Sequence, residues 1–245
     1  RVLALRTAQA AAMPGVVAVL TGEDAKDLSP FPAIAMHPLL PEGSLVVPHR
    51  RALALDRVRY VGEPVALVVA ESPAAALDAA ERVEIDHEPL PAVLAPIDGG
   101  AAAGPPIHDE APDNRAMDAI MGDLPAVEAA LAAADVVVEA RVDLPRVLPA
   151  PMEPMGALAV HDAAADAFDL WTPHQGHPEV QGPLAAVLGI APELIRVHAV
   201  DVGGGFGARG PAYPEHAALL LAARATGRPV AWTASRTETF QAEAH

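Results

Sequence analysis

A run of glycines set between a strand and a helix constrains this chain more than any other feature. Asp201-Val202-Gly203-Gly204-Gly205-Phe206-Gly207-Ala208-Arg209-Gly210 comes after the segment Leu194 to Val202, in which Ile195, Val197 and Ala199 share one face of an expected strand. It precedes Pro214 to Thr226, the strongest helix signal in the chain, closed by Gly227. Glycines in succession remove every Cβ, so the backbone can take positive φ and its N–H groups can approach a ligand closely. Such a loop suits a phosphate or a polar ring. The other reading is a tight left-handed turn with no ligand.

The spacing Gly205-x-Gly207-x-x-Gly210 after a strand is also that of a dinucleotide fingerprint. Two features oppose this reading. Pro211 and Pro214 displace the helix start from where a pyrophosphate would sit, and the acidic residue expected about 20 residues on falls in Arg228-Pro229-Val230-Ala231.

At 245 residues, the chain is long enough for one large or two ordinary domains. With 52% hydrophobic and 20% charged residues it cannot be globally disordered, and no apolar run reaches the roughly 18 residues of a membrane span. A formal charge of −16, with Lys26 the single lysine, argues against a nucleic-acid partner. The absence of cysteine removes disulfides, thiolate zinc sites, iron–sulfur clusters and a cysteine nucleophile. Any redox centre must be a bound cofactor or lie on another chain. Arg1-Val2-Leu3-Ala4-Leu5 reads as the inside of a strand and has no leader pattern.

Residues 1–96 alternate strand and helix signals. Pro64 to Ala70 is apolar on both faces, as in a strand covered on both sides. Ser72 then offers an N-cap and Pro73 a first helical residue; Ala74 to Arg82 forms the helix with Leu77 and Ala80 on one face, and a half-exposed strand starts at Val83. Residues 97–116 concentrate Gly and Pro without periodicity and read as a linker. Residues 117–245 alternate again, with a strand at Phe168 to Thr172, a helix at Glu179 to Leu188 stopped by Gly189, and a strand at Val230-Ala231-Trp232. The fold class expected is α/β (α+β).

The glycine loop and six ordered segments around it resemble the large, molybdopterin-binding subunits of the xanthine dehydrogenase, aldehyde oxidase and carbon monoxide dehydrogenase family. Ala12-Met13-Pro14-Gly15-Val16-Val17-Ala18-Val19-Leu20-Thr21 and Val58-Arg59-Tyr60-Val61-Gly62-Glu63-Pro64-Val65-Ala66 look like its amino-terminal hammerhead domain, with Glu88 to Val93 as the closing strand. Pro151-Met152-Glu153-Pro154-Met155-Gly156-Ala157, Trp171-Thr172-Pro173-His174-Gln175-Gly176 and the Gly203 to Arg209 loop resemble segments of its molybdopterin domain. Gly227 to Val230 with Arg236-x-Glu238 looks like the family's strand after the glycine loop.

The resemblance implies a hammerhead domain over 1–96, a linker over 97–116 and the amino-terminal part of a molybdopterin-binding domain over 117–245. It implies a molybdenum–molybdopterin cofactor, with the cytosine dinucleotide form open. Gly204, Gly205, Phe206 and Gly207 would lie against it, and the Gln175 amide would sit near an oxygen ligand of the metal. Because the metal would be held through the pterin, the missing cysteines are no obstacle. The implied reaction is oxidative hydroxylation of an aldehyde, N-heterocycle or similar small molecule, with electrons leaving to an iron–sulfur small subunit and an FAD-bearing subunit or domain in the cytoplasm, the periplasm being the alternative. The family's catalytic glutamate lies beyond His245, so no catalytic residue is assigned here. Gly210 occupies the place of an acidic residue in purine-oxidising members, which disfavours a purine. A noncatalytic assembly or binding module is the reading from a different class.

Other constellations read as structural. Pro173 and Pro178 bracket His174-x-x-His177, which fits two solvent-facing loop histidines better than a metal pair. Glu215 and His216 are helix neighbours and cannot face each other; Glu215 reads as a first-turn acid on the helix dipole. Glu153 between prolines is a candidate for ordering a loop near the cofactor. No Gly-x-Ser-x-Gly setting supports a serine hydrolase.

Overall fold

The computed structural model describes residues 1–32, 45–94, 104–120, 122–142, 147–199 and 201–243. In chain order the elements are β1 (Val2–Arg6), α1 (Ala8–Ala11), β2 (Val16–Thr21), β3 (Ala66–Ala70), α2 (Pro73–Ala80), β4 (Glu84–His87), α3 (Leu124–Ala133), β5 (Gly156–Asp162), β6 (Ala167–Trp171), α4 (Pro178–Leu188), β7 (Ile195–His198), α5 (Pro214–Thr226), β8 (Val230–Thr233) and α6 (Arg236–Ala242). Helices and open sheets are mixed, as an α/β reading requires. The chain divides into two units, one of Arg1–Pro32, His49–Ala92 and Leu148–His245, the other of Ala33–Pro48 and Val93–Val147.

In the first unit, β1 pairs antiparallel with β4, and β2 with β3. The α2 start obeys its cap chemistry: the Ser72 side chain accepts the Ala75 N–H at 3.2 Å and Pro73 opens the helix. Three expectations need correction. Strand β3 is only partly buried on either face, with Val69 alone fully inside, so it is not the fully covered strand expected. The face of α2 that packs inward is that of Ala75, Ala76 and Ala79, while Leu77 and Ala80 are exposed. The strand that closes this region is β4, and residues 88–94 form none; Pro89 and Pro91 lack the N–H groups that a ladder needs.

The second sheet of consequence has the order β7-β6-β5-β8, antiparallel except for the parallel β6–β7 pair. Helix α4 crosses between β6 and β7 and ends at Gly189, φ 66°; α5 connects β7 to β8 and ends at Gly227, φ 62°, both as the glycines anticipate. Strand β7 stops at His198, and Ala199 is exposed and does not continue the face of buried Ile195 and Val197. The core packs Phe168, Leu170, Leu184, Leu219 and Leu220 with Leu20, Phe31 and Leu53, so both sequence regions contribute to it.

In the second unit, α3 is a helix absent from the elements expected of the sequence. Asp123 accepts the Ala126 N–H at 3.0 Å, and no residue of α3 is buried. Of the expected linker, residues 97–103 lie outside the described residues. Its carboxy-terminal part is held by Asn114, which accepts the Ile107 N–H at 2.8 Å and donates to the Pro105 carbonyl at 3.1 Å.

Candidate functional site

The glycine loop lies between β7 and α5, and α5 starts four residues after Gly210. Two other segments meet it: the turn after β6 that carries Gln175, and the segment before β5 that carries Glu153. Gln175 grips the loop at two levels. Its main-chain N–H donates to the Arg209 carbonyl at 2.8 Å, and its side-chain Oε1 accepts the N–H groups of Gly207 at 2.9 Å and Arg209 at 3.1 Å. Two lone pairs are thereby used, and the Gln175 Nε2 donors have no protein acceptor among the described residues. Glu153 holds the other end. Its Oε2 accepts the Gly203 N–H at 2.7 Å and its own N–H donates to the Gly203 carbonyl at 3.2 Å, which is the loop-ordering role anticipated for it.

Glycine is required in the loop for two different reasons. At Gly205 the reason is space, because a Cβ would stand 2.5 Å from Gln175 Cδ. At Gly207 it is conformation: φ is 91°, while a Cβ there would meet nothing within 4 Å. Phe206 adopts φ 50° without being glycine, and its side chain is 68% exposed. The N–H groups of Gly204, Gly205 and Phe206 donate to no acceptor among the described residues. A row of backbone donors, an amide nitrogen and open space above Gly207 make a surface built to receive oxygen acceptors.

Beneath the loop the contacts are buried. The Arg209 side chain is wholly inside, with Nη1 2.6 Å from Glu243 Oε1 and Nη2 donating to the Glu153 carbonyl at 2.8 Å. The Tyr213 hydroxyl donates to the Ala208 carbonyl at 2.6 Å. His216 Nδ1 accepts the Tyr213 N–H at 3.2 Å, which leaves the proton on Nε2, 3.2 Å from Thr172 Oγ1; that hydroxyl donates to the Gly156 carbonyl at 2.9 Å. Burial, aided by the Arg209 charge, pushes the His216 imidazole down to about 4, so it is neutral. Its neighbour Glu215 goes the other way. Burial, with Glu238 and Glu243 nearby, raises its carboxyl to about 7, outweighing what its own helix N-terminus contributes. Glu215 thus stands in the first turn as expected, but desolvation and not the helix dipole sets its charge.

His174 also differs from expectation. Both its ring nitrogens are buried without a hydrogen-bond partner, while His177 is exposed at the start of α4, and the two rings are 6.3 Å apart. Among the described residues no group of three or more His, Cys, Asp or Glu could hold a metal ion. The loop thus offers no direct ligand set, only donors to something carried by another group. Thr172 belongs to the segment that resembles the molybdopterin domain but has no role assigned there; nothing in the sequence marks Tyr213, and His216 reads there only as a helix neighbour of Glu215. Arg209 stands in the loop that resembles the family, as a charge inside a run of glycines and small residues, but nothing there says that its side chain is buried.

Comparison with known proteins shows the family of the chain. The family model for the molybdopterin cofactor-binding domain matches residues 107–245, and that for the aldehyde oxidase and xanthine dehydrogenase a/b hammerhead domain matches residues 1–91. The chain belongs to the xanthine dehydrogenase and aldehyde oxidase family. It is 37% identical over its whole length to 29% of the nicotine 6-hydroxylase large subunit of Paenarthrobacter nicotinovorans. It is 32% identical, over 96% of its length, to 30% of the carbon monoxide dehydrogenase large chain of Hydrogenophaga pseudoflava. The structure of quinoline 2-oxidoreductase from Pseudomonas putida 86 superposes on all of the chain and 31% of its own, with TM-score 0.80 and 33% identity. The chain therefore spans about a third of the large subunits it matches. Both the glycine loop and Gln175 fall within the part matched as a molybdopterin-binding domain. No helix among the described residues is long and apolar enough to cross a membrane.

Proposed function

We propose that the protein carrying this chain is the large subunit of a molybdenum hydroxylase, and that Gln175, Gly204, Gly205, Phe206 and Gly207 receive its molybdopterin cofactor. The carrying observation is the junction of Gln175 with the glycine loop. The amide oxygen is consumed by Gly207 and Arg209, so the amide nitrogen is the part left for a ligand. It can donate to an oxygen acceptor near the metal without adding charge. The N–H groups of Gly204, Gly205 and Phe206 give further donors to the polar edges of the cofactor, and Gly207 leaves room for it. When bound, the cofactor supplies the redox and oxygen-transfer chemistry of hydroxylation.

The reading extends to the division of the chain, with a hammerhead domain over 1–96, a linker over 97–116 and the start of the molybdopterin domain from 117. It extends also to the substrate, an aldehyde, N-heterocycle or similar small molecule, and to iron–sulfur and flavin partners that take the electrons. A cytosine dinucleotide extension of the pterin is compatible with the loop, whose free N–H groups suit phosphate oxygens as well as a ring. The fingerprint spacing Gly205-x-Gly207-x-x-Gly210 does not carry a nicotinamide or flavin reading, because α5 begins too far from Gly210 for its N-terminus to meet a pyrophosphate.

The test is molybdenum and pterin content. The full-length protein, purified from a host that makes the cofactor, is expected to hold near one molybdenum per chain by elemental analysis and to release a fluorescent pterin on acid oxidation. A folded full-length protein with neither, or one that instead carries a nicotinamide or flavin, refutes the proposal.

A further inference from the structure

We propose that Arg209 is a positioning residue of this site, acting through Gln175 to aim the amide nitrogen of that side chain. The inference rests on the reading of Gln175 as the contact to a molybdenum ligand. Arg209 touches Gln175 only through its main chain, accepting the Gln175 N–H at its carbonyl and donating its own N–H to Oε1. These two bonds, with that from Gly207, leave the amide plane no freedom to turn. The placement of the Arg209 main chain is fixed in turn by its side chain. The guanidinium enters the interior on the opposite side and joins the end of α6, through Glu243, to the Glu153 carbonyl. Glu153 also holds Gly203, so both ends of the loop are referred to one buried cation.

Stability alone does not account for this arrangement. A buried ion pair is often no more stabilising than apolar residues of the same volume, and this one leaves Arg209 Nε and Glu243 Oε2 without a hydrogen bond. What the planar guanidinium provides is a fork with two fixed directions, which an apolar side chain or the point charge of lysine does not. The loop turn is held from below by the same logic: Ala208 is buried and its carbonyl accepts the Tyr213 hydroxyl.

The experiment uses the full-length, cofactor-loaded protein and three variants: Arg209→Lys, Gln175→Ala and the two combined. Molybdenum per chain and thermal midpoint are measured first. The electron paramagnetic resonance signal of Mo(V) is then recorded after reduction with dithionite, a probe that needs no substrate. All three variants are expected to fold and to retain molybdenum. Gln175→Ala shifts the signal, Arg209→Lys shifts it in the same direction, and the double variant gives the Gln175→Ala signal with nothing added, as two changes along one line of action must. A parental signal from Arg209→Lys beside a shifted one from Gln175→Ala overturns the proposal, and so do two shifts that add. Should Arg209→Lys fail to fold, Glu243→Gln removes the countercharge while keeping an acceptor for Nη1. It is expected to move the signal the same way by less, and a parental signal there also overturns the proposal. A full-length parent without molybdenum refutes the underlying functional reading instead, and the role of Arg209 falls with it.

Discussion

Replacing Glu215 by glutamine should change how stability depends on pH in a way that its neighbour conceals. The Glu215 carboxyl is raised from 4.5 to about 7, so it folds as the neutral acid, and the stability this allows is complete below about pH 4.5 and lost as pH rises through 7. His216 is lowered from 6.5 to about 4, so its contribution is complete above pH 6.5 and lost as pH falls through 4. Each shift corresponds to about 3 kcal/mol at most, less for Glu215 to the extent that water reaches its half-buried carboxyl. Between about pH 4.5 and 6.5 the two slopes oppose each other and the pair is nearly silent. Glu215→Gln keeps the shape and removes one titration. The variant should match the parent near pH 4.5 and exceed it by on the order of 2–3 kcal/mol above pH 7. The assay is the difference between parent and variant urea midpoints in the same full-length polypeptide from pH 4.5 to 8, where titrations common to both cancel. A difference that is flat with pH would refute the burial argument for Glu215.

Three further outcomes are expected in the full-length protein. Gln175→Ala should slow turnover about ten- to a hundredfold while leaving most of the molybdenum in place, because it removes an orienting donor and not the pterin contacts; parental turnover would remove Gln175 from the site. Gly207→Val should abolish molybdenum retention by forcing a β-branched residue to φ near 91°, and equal metal in folded parent and variant would defeat the loop assignment. Gly205→Ala should slow turnover as Gln175→Ala does, with most of the molybdenum retained, since its Cβ would stand 2.5 Å from Gln175 Cδ and push the amide aside; a crystal structure of the variant with Gln175 unmoved would count against this.

The parts of this fold that are legible in the sequence are those set by one or two neighbouring residues. Gly189 and Gly227 end α4 and α5, Ser72 and Pro73 start α2, and the glycine run separates a strand from a helix, all through local backbone requirements. The rest depends on partners distant in sequence. Strand β3 has the apolar pattern of a covered strand, yet only Val69 is fully buried, because what lies over its faces comes from distant segments and not from its own residues. On α2 it is Ala75, Ala76 and Ala79 that turn inward and Leu77 that faces out, which depends on what α2 packs against and not on its own residues. At the site, Gln175 and the glycines carry a recognisable pattern, whereas Arg209 and His216 owe their importance to burial and to partners 34 to 56 positions away. His174 shows the same limit, since two flanking prolines say loop but do not say which way a ring turns.

The open row of donors above the loop also bears on how an anion reaches it. This chain carries a formal charge of −16, whereas the loop attracts through N–H dipoles, whose pull is short-ranged. A phosphorylated pterin bound there as proposed would meet repulsion from this chain's charge at a distance and attraction only on contact. Added salt weakens the first and hardly touches the second, so loading should quicken with ionic strength while the loaded complex stays tight. That behaviour is the reverse of a lysine-lined phosphate site, where salt slows capture and loosens grip together.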